Sequence, residues 1–405
     1  MHVLMISPGY PMEMEYFARG LARVGAKVFG IGDSAQSALP ALARDALSGY
    51  LQLRNLWDEA QTVEAVRQWS HSVRIDRVEC LWEPGMILAA RIREALKLPG
   101  MTVAETVPFR DKEAMKQVLD RAGIRTPKHH RARTADDIRA AARDIGWPII
   151  IKPIAGAGSA DTHRCDTAAE LERAISLTRH VQEFSVEEFV EAEEFTFDTV
   201  CAEGRILYHN VSWYRPRPLV ARQHQWVTSQ TIALRDPDNA YIASGAQMGR
   251  DVIKALGFRS GFTHMEWFRK ADGEAVFGEI ACRAAGARTT EIMNYSCDVD
   301  VWTGWAEAVC HGRWSQPTER RWNACILFKR AQGEGRIQKI VGLERWLAEY
   351  GEHVVSLELL PIGAPRRNWK QTLISDGWVI FRHPDLAATV EIADRFGTDV
   401  QMYAA

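Results

Sequence analysis

The stretch His264-Met265-Glu266-Trp267-Phe268-Arg269-Lys270-Ala271-Asp272-Gly273-Glu274-Ala275-Val276-Phe277-Gly278-Glu279-Ile280-Ala281-Cys282-Arg283 decides how the rest of the chain is read. Asp-Gly at its middle is a hairpin turn signal, so the flanking apolar-rich runs are expected as two antiparallel strands. Glu266 and Glu279 then stand side by side on one face. Adjacent carboxylates repel unless a cation sits between them. Mg²⁺ suits that place, because it takes oxygen ligands and keeps phosphates as its other partners. The pair therefore points to a metal–nucleotide site; a solvated hairpin carrying two surface acids is the other reading. His264, two residues before Glu266, falls on the same side of the strand. Arg283, four after Glu279, suits a phosphate or a developing oxyanion, or else an ion pair with one of the acids. Arg288, in Ala284-Ala285-Gly286-Ala287-Arg288, reads as a surface arginine or a substrate contact.

Upstream, Pro148-Ile149-Ile150-Ile151-Lys152-Pro153-Ile154-Ala155-Gly156-Ala157-Gly158-Ser159 sets a lysine inside an apolar strand, followed by a small-residue loop. A lysine desolvated there needs a partner, and glycines let backbone N–H groups approach phosphate oxygens. A tight hairpin with an edge lysine is the competing reading. The loop is not a Walker A motif, since Gly-Lys-Ser/Thr is missing and a strand follows. The acid-rich run Val186-Glu187-Glu188-Phe189-Val190-Glu191-Ala192-Glu193-Glu194-Phe195 is a solvated face or a hinge whose backbone reads adenine while a carboxylate grips ribose. Ser212-Trp213-Tyr214-Arg215-Pro216-Arg217-Pro218-Leu219 is a candidate substrate wall, its arginines able to pair a carboxylate, or a strand running into a Pro-fixed loop.

Around this centre the chain changes rhythm twice. Residues 1–101 alternate strand and helix, with strands at 2–7, 27–32 and 77–82, which implies a parallel sheet with ligand loops at the strand C-termini. Residues 102–315 mix helices (112–123, 134–146, one opening at Thr167-x-x-Glu170) with antiparallel strands, giving an α+β unit. Residues 316–405 read as a small α+β domain. The fold class is thus α/β plus α+β, in a chain of 405 residues. A formal charge of −2 argues against an electrostatic nucleic-acid binder. No apolar run is long enough to span a bilayer, and the N-terminus lacks the marks of a signal peptide. Seven unpatterned cysteines fit reduced thiols in a cytoplasmic protein.

Order and spacing together carry a resemblance that no single motif does. Lys112 in Pro108-Phe109-Arg110-Asp111-Lys112, Lys152 with its glycine loop, Glu187 and Glu194, Glu266 and Glu279, then Arg283 resemble the ATP-grasp superfamily, most strongly over residues 102–315. The arrangement is similar to carboxylate–amine ligases of the L-amino-acid ligase type. The resemblance implies an ATP-grasp fold with a preceding Rossmann-like domain and a small C-terminal domain, and a lid subdomain near 124–184. It implies that Lys112 and Lys152 hold the ATP phosphates and that Gly156, Gly158 and Ser159 close over them. Glu187, Glu188, Phe189 and Val190 would form the adenine hinge, and Glu194 would take the ribose. Glu266 and Glu279 would ligate Mg²⁺, with Mn²⁺ as a substitute. Arg283 would stabilise the transferring phosphoryl group; beside these, His264 is a candidate donor to a phosphate or acyl oxygen, and Arg288 is a surface arginine or a substrate contact. One departure stands out. Where most members carry Asn two residues after the second metal glutamate, this chain has Ala281, which offers no ligand atom.

The activity implied is ATP-dependent: a small-molecule carboxylate becomes an acyl phosphate and is joined to an amine, with release of ADP and phosphate. A non-catalytic ATP-binding module, or a purine-pathway or carboxylase-like ATP-grasp chemistry, is the alternative, although no biotinyl-lysine segment is present. A homodimer is the default expectation for assembly.

Overall fold

The computed structural model describes residues 1–156, 161–369, 371–372 and 374–405. Its N-terminal unit holds four strands in the order Leu47–Gln52, Lys27–Gly32, His2–Ile6, Arg77–Glu79, all parallel. This is one half of a doubly wound sheet, in which ligands gather at the strand C-termini. Strands His2–Ile6 and Lys27–Gly32 are buried almost throughout, as both-face coverage by helices requires. Helix Met14–Arg23 covers one face and packs on helix Val301–His311, with Tyr16 stacked on Trp302 and Phe17 edge-on to Trp305. Helices Glu59–Trp69 and Met86–Leu96 cover the other. The third strand is shorter than the sequence implies: the chain leaves the sheet after Glu79, and Glu83–Gly85 form a 3₁₀ turn.

A nine-stranded sheet forms the body of the molecule. Its order is Ala275–Ala281, Gly261–Arg269, Glu193–Ala202, Ser212–Arg215, Ser229–Ala233, Asn323–Phe328, Gly377–His383, Val354–Leu359, with Arg205–Asn210 paired separately onto Glu193–Ala202. Alternation divides it into two chemical faces. Phe195, Phe197, Met265, Trp267, Phe277 and Ile280 enter the main core. Their neighbours in sequence, including Glu194, Thr196, Asp198, His264, Glu266 and Glu279, carry polar chemistry. The sheet crosses the expected division at residue 316, because Asn323–Phe328 pairs directly with Ser229–Ala233. The C-terminal segment adds to this sheet and also builds a small three-stranded one from Gln332–Gly333, Gln401–Ala404 and Ile337–Val341.

A separate four-stranded antiparallel sheet, ordered His129–Ala132, Phe184–Glu188, Ile149–Pro153, His163–Cys165, has its own core beneath helices Ala135–Ile145 and Ala168–Leu177. Both helices start on threonine caps. Thr134 accepts from Asp137 N in a full capping box, and Thr167 accepts from Glu170 N. No helix among the described residues is long and apolar enough to cross a membrane.

Candidate active site

The hairpin forms as its turn residues dictate. Lys270 N donates to the Glu274 carbonyl and Gly273 N to that of Lys270, with Gly273 in the left-handed region at φ +90°. In the ladder Glu266 pairs directly with Glu279. A bulge follows, since Trp267 then pairs with Phe277 and Gly278 is left over. A Cβ at Gly278 would lie 2.7 Å from the Glu266 carbonyl oxygen, so only glycine lets the two strands close there.

Cations converge on these acids from two other elements. Helix Lys112–Arg121 starts on Asp111, which caps Glu113 N and Ala114 N, and so points Lys112 across the sheet. Lys112 Nζ lies 3.0 Å from Glu279 Oε1 and donates at 3.0 Å to the Gly156 carbonyl. Lys152, on a strand of the four-stranded sheet, sits 2.9 Å from Glu187 Oε2 and 4.0 Å from Glu279 Oε2. Lys116, one helical turn after Lys112 and wholly buried, donates to Glu187 Oε1 at 2.7 Å. Burial alone would raise the Glu187 pKa, but the two ammonium groups and the Ser185 hydroxyl outweigh it and hold the carboxyl far below its usual range.

On the far side of Glu266, His264 Nδ1 is 2.6 Å from Asp198 Oδ1 and its Nε2 is 3.6 Å from Glu266 Oε1. Burial would lower the imidazole pKa; Asp198 and then Glu266 reverse that and bring it to about 9. Tyr214 Oη donates to Glu266 Oε1 at 3.4 Å. Glu194 is held by Arg217 Nε at 3.0 Å. Burial first, then the charge of Glu266, still push its carboxyl above the ordinary range. Arg283 is fixed by the N-terminal unit: its Nε and Nη2 donate to Glu83 Oε2 at 3.0 and 2.9 Å, and Arg110 pairs with the other oxygen of the same carboxylate.

The arrangement is a sheet face with paired carboxylates, two lysines reaching them from outside, and a guanidinium clamped at one end. Comparison with known proteins agrees with it. Residues 145–291 match the family model described as ATP-grasp domain. That segment of the chain is therefore similar to an ATP-grasp domain. Similar curated proteins include an L-arginine-specific L-amino acid ligase of Bacillus subtilis, 27% identical over 56% of this chain and 56% of that protein. An alanine–anticapsin ligase of Bacillus subtilis is 25% identical over 63% of this chain and 58% of its own length. The chain spans about half the length of the curated relatives it matches. Among solved structures, an L-amino acid ligase from Bacillus licheniformis superposes with a TM-score of 0.78 at 20% identity, covering 100% of this chain and 98% of that one. An N5-carboxyaminoimidazole ribonucleotide synthetase from Thermotoga maritima gives 0.72 at 17% identity, over 100% and 99%. At these identities the likeness is one of fold, and it extends across the N-terminal unit and the C-terminal segment.

In and beside the matched segment the structure brings Lys112, Lys152, Gly156, Glu187, Glu266 and Glu279 together, with His264 beside Glu266. Gly158 and Ser159 lie outside the described residues. Around the expected hinge, Glu188 turns its carboxylate to Arg125, and Phe189 is sandwiched by Arg164 at 4.0 Å and Arg217 at 4.9 Å. The Val190 carbonyl accepts from Arg217 Nη1. Arg217 thus braces the hinge, and Arg215 pairs with Asp394 and Gln230, so neither forms a free carboxylate-binding wall. Arg288 adopts the left-handed conformation at φ +57°, stacks 4.0 Å over Trp378 and pairs with Glu291. Three partners escape the sequence reading: Lys116, Asp198 and Glu83. Lys116 is signalled only by its i, i+4 spacing from Lys112. Asp198 is signalled by the alternation Glu194-x-Thr196-x-Asp198. Glu83 reaches Arg283 across 200 positions of sequence, and no local pattern marks that contact.

Proposed function

We propose that the chain is an ATP-dependent ligase that activates a small-molecule carboxylate as an acyl phosphate and joins it to an amine, releasing ADP and phosphate. The observation that carries this reading is the register pair Glu266–Glu279 with Lys112 and Lys152 against it and Arg283 at its end. The names of the similar ligases support the same chemistry.

The donor set fits Mg²⁺. Among the described residues no group of three or more metal-ligating side chains could hold an ion unaided. Glu266 and Glu279 would supply two carboxylates and leave the remaining positions to phosphate oxygens and water, which is how Mg²⁺ is usually bound. An ion held by Glu266 and Glu279 would supply neutralisation of the triphosphate and polarisation of its terminal phosphoryl group. The protein's own part is positioning and charge. Lys112 and Lys152 present ammonium groups to the phosphates, and Glu187 fixes where Lys152 points. Glu194, steadied by Arg217, faces the ribose. Arg283, aimed by Glu83, offers a guanidinium to the equatorial oxygens as the substrate carboxylate attacks the γ-phosphorus. Water must be kept from the acyl phosphate until the amine arrives, and the four-stranded sheet, whose Lys152 reaches Glu279, is the element beside the site that would cover it.

The test is phosphate release from Mg²⁺-ATP over a panel of amino acids and other carboxylates, with and without hydroxylamine as surrogate amine. Carboxylate-dependent release with hydroxamate formation is expected. ATP binding with no release for any acid would favour the non-catalytic reading, for which Ala281 is the specific observation: it lies opposite His264 in the ladder and brings no ligand atom to the metal face.

A further inference from the structure

Three loops leave the C-terminal ends of the parallel strands, where this kind of sheet receives ligands, and each carries an aromatic side chain. Tyr10 follows strand His2–Ile6, Trp57 follows Leu47–Gln52, and Trp82 follows Arg77–Glu79. The three rings meet. Tyr10 stands 4.9 Å from Trp82 at 81°, and Trp57 stands 5.0 Å from Trp82 at 72°, so two rings rise nearly perpendicular from a third. Tyr10 is 62% and Trp57 40% exposed, an unusual outlay of aromatic surface for a part of the fold that could have buried it. Ser7, at the root of the first loop, is held at φ +52° and its hydroxyl donates to the Tyr10 carbonyl, so the loop is set in a conformation that only surrounding structure maintains.

The same loops reach Arg283 and Arg288. Glu83, next to Trp82, holds Arg283, and Glu13, three residues after Tyr10, accepts from the Arg288 backbone N–H. The aromatic cluster is therefore continuous with the site at which a carboxylate would be activated. We infer that Tyr10, Trp57 and Trp82 form the specificity surface for the side chain of an amino-acid substrate, and that they select a bulky apolar or aromatic side chain. This rests on the ligase reading above. The apolar choice follows from what the loops do with their acids. Glu83 is neutralised by the guanidinium groups of Arg283 and Arg110, Glu13 is buried and turned to the Arg288 backbone N–H, and Asp58 is turned to the Gln61 backbone N–H at the cap of helix Glu59–Trp69, so no carboxylate of these loops is aimed at the rings. What the loops present to a ligand is ring surface, which rewards burial of apolar area.

The experiment compares wild type with Trp57→Ala and Tyr10→Ala, both at exposed positions where the fold has little to lose. Kinetics of phosphate release are measured with L-phenylalanine, L-leucine, L-alanine and L-arginine. In parallel, the same four are titrated against intrinsic tryptophan fluorescence in the presence of a non-hydrolysable ATP analogue. Wild type should favour phenylalanine and leucine over alanine in kcat/KM by about ten-fold or more, the effect of one well-buried side chain. Each variant should lose most of that preference, through a raised KM for phenylalanine and leucine. A preference for arginine, or variants that keep the wild-type preference, would overturn the inference. Fluorescence-detected binding of phenylalanine that Tyr10→Ala, which keeps every tryptophan, loses, without turnover of any acid, would leave the specificity surface standing and remove the ligase reading. Absence of both binding and turnover of the bulky acids would overturn the inference itself.

Discussion

Glu187→Gln is the change whose cost can be worked most directly from the structure. The carboxylate is 4% exposed and receives Lys116 Nζ at 2.7 Å, Lys152 Nζ at 2.9 Å and the Ser185 hydroxyl at 2.7 Å. The amide keeps the shape and removes the charge. Lys152 retains Glu279 at 4.0 Å and some contact with solvent. Lys116, with 0% exposure, retains the Lys112 carbonyl at 3.4 Å. Stranding a buried ammonium in this way costs about 3–5 kcal/mol. For an unfolding unit the size of the middle segment that is a fall in Tm of roughly 6–20 °C. Lys116→Met added to Glu187→Gln removes the stranded charge and should recover more than half of the loss, since an apolar side chain of similar volume replaces it. Calorimetric unfolding of the wild type, both single variants and the double variant measures all four corners of the cycle. A loss under about 1 kcal/mol for Glu187→Gln, or a double variant no more stable than Glu187→Gln, would refute the reasoning.

Three further outcomes are expected. Gly278→Ala places a Cβ 2.7 Å from the Glu266 carbonyl, so the bulge must shift; it should cost about 1–3 kcal/mol and depress ATP-dependent phosphate release at temperatures where the variant is still fully folded. Ala281→Asn restores an oxygen ligand beside Glu279 and should lower the Mg²⁺ concentration for half-maximal turnover several-fold; an unchanged Mg²⁺ dependence would show that this position does not reach the ion. His129 lies between Glu113 Oε2 at 2.9 Å and Asp120 Oδ2 at 2.8 Å, and although burial opposes it, these two carboxylates raise its pKa. A raised folded pKa means that the stabilisation is fully present below the unfolded value near 6.5 and is lost as pH rises through the folded value. The stability difference between wild type and His129→Gln should therefore shrink from pH 6 to pH 9, and a difference that is flat or grows would contradict the assignment.

Local chemistry explains which parts could be read from sequence. The Asp-Gly turn fixes the hairpin, and the side-chain period of two then sets Glu266 against Glu279. Threonine caps and apolar stripes mark the helices of the four-stranded sheet and its neighbours. The acid-rich run at 186–195 is harder, because it contains the end of one strand, Phe184–Glu188, and the start of another, Glu193–Ala202, in two different sheets. Its acids are engaged one by one by Lys116, Lys152, Arg125 and Arg217, partners that only tertiary folding supplies. The same holds for the sheet that crosses residue 316: nothing in the local pattern of Asn323–Phe328 says that it will pair with Ser229–Ala233. Strand Arg77–Glu79 ends before Glu83, which meets Arg283 from a 3₁₀ turn, a long-range contact that no local pattern marks.

The central claim is that a carboxylate oxygen attacks the γ-phosphorus of ATP. The direct measurement is oxygen transfer. An acid that supports turnover is labelled with ¹⁸O in both carboxylate oxygens, the reaction is run with hydroxylamine, and the products are read by mass spectrometry. The account predicts a single ¹⁸O in each phosphate released, since the O–P bond formed in the first step survives while the amine breaks the C–O bond in the second. Label carried into AMP, or phosphate released without label, would contradict it.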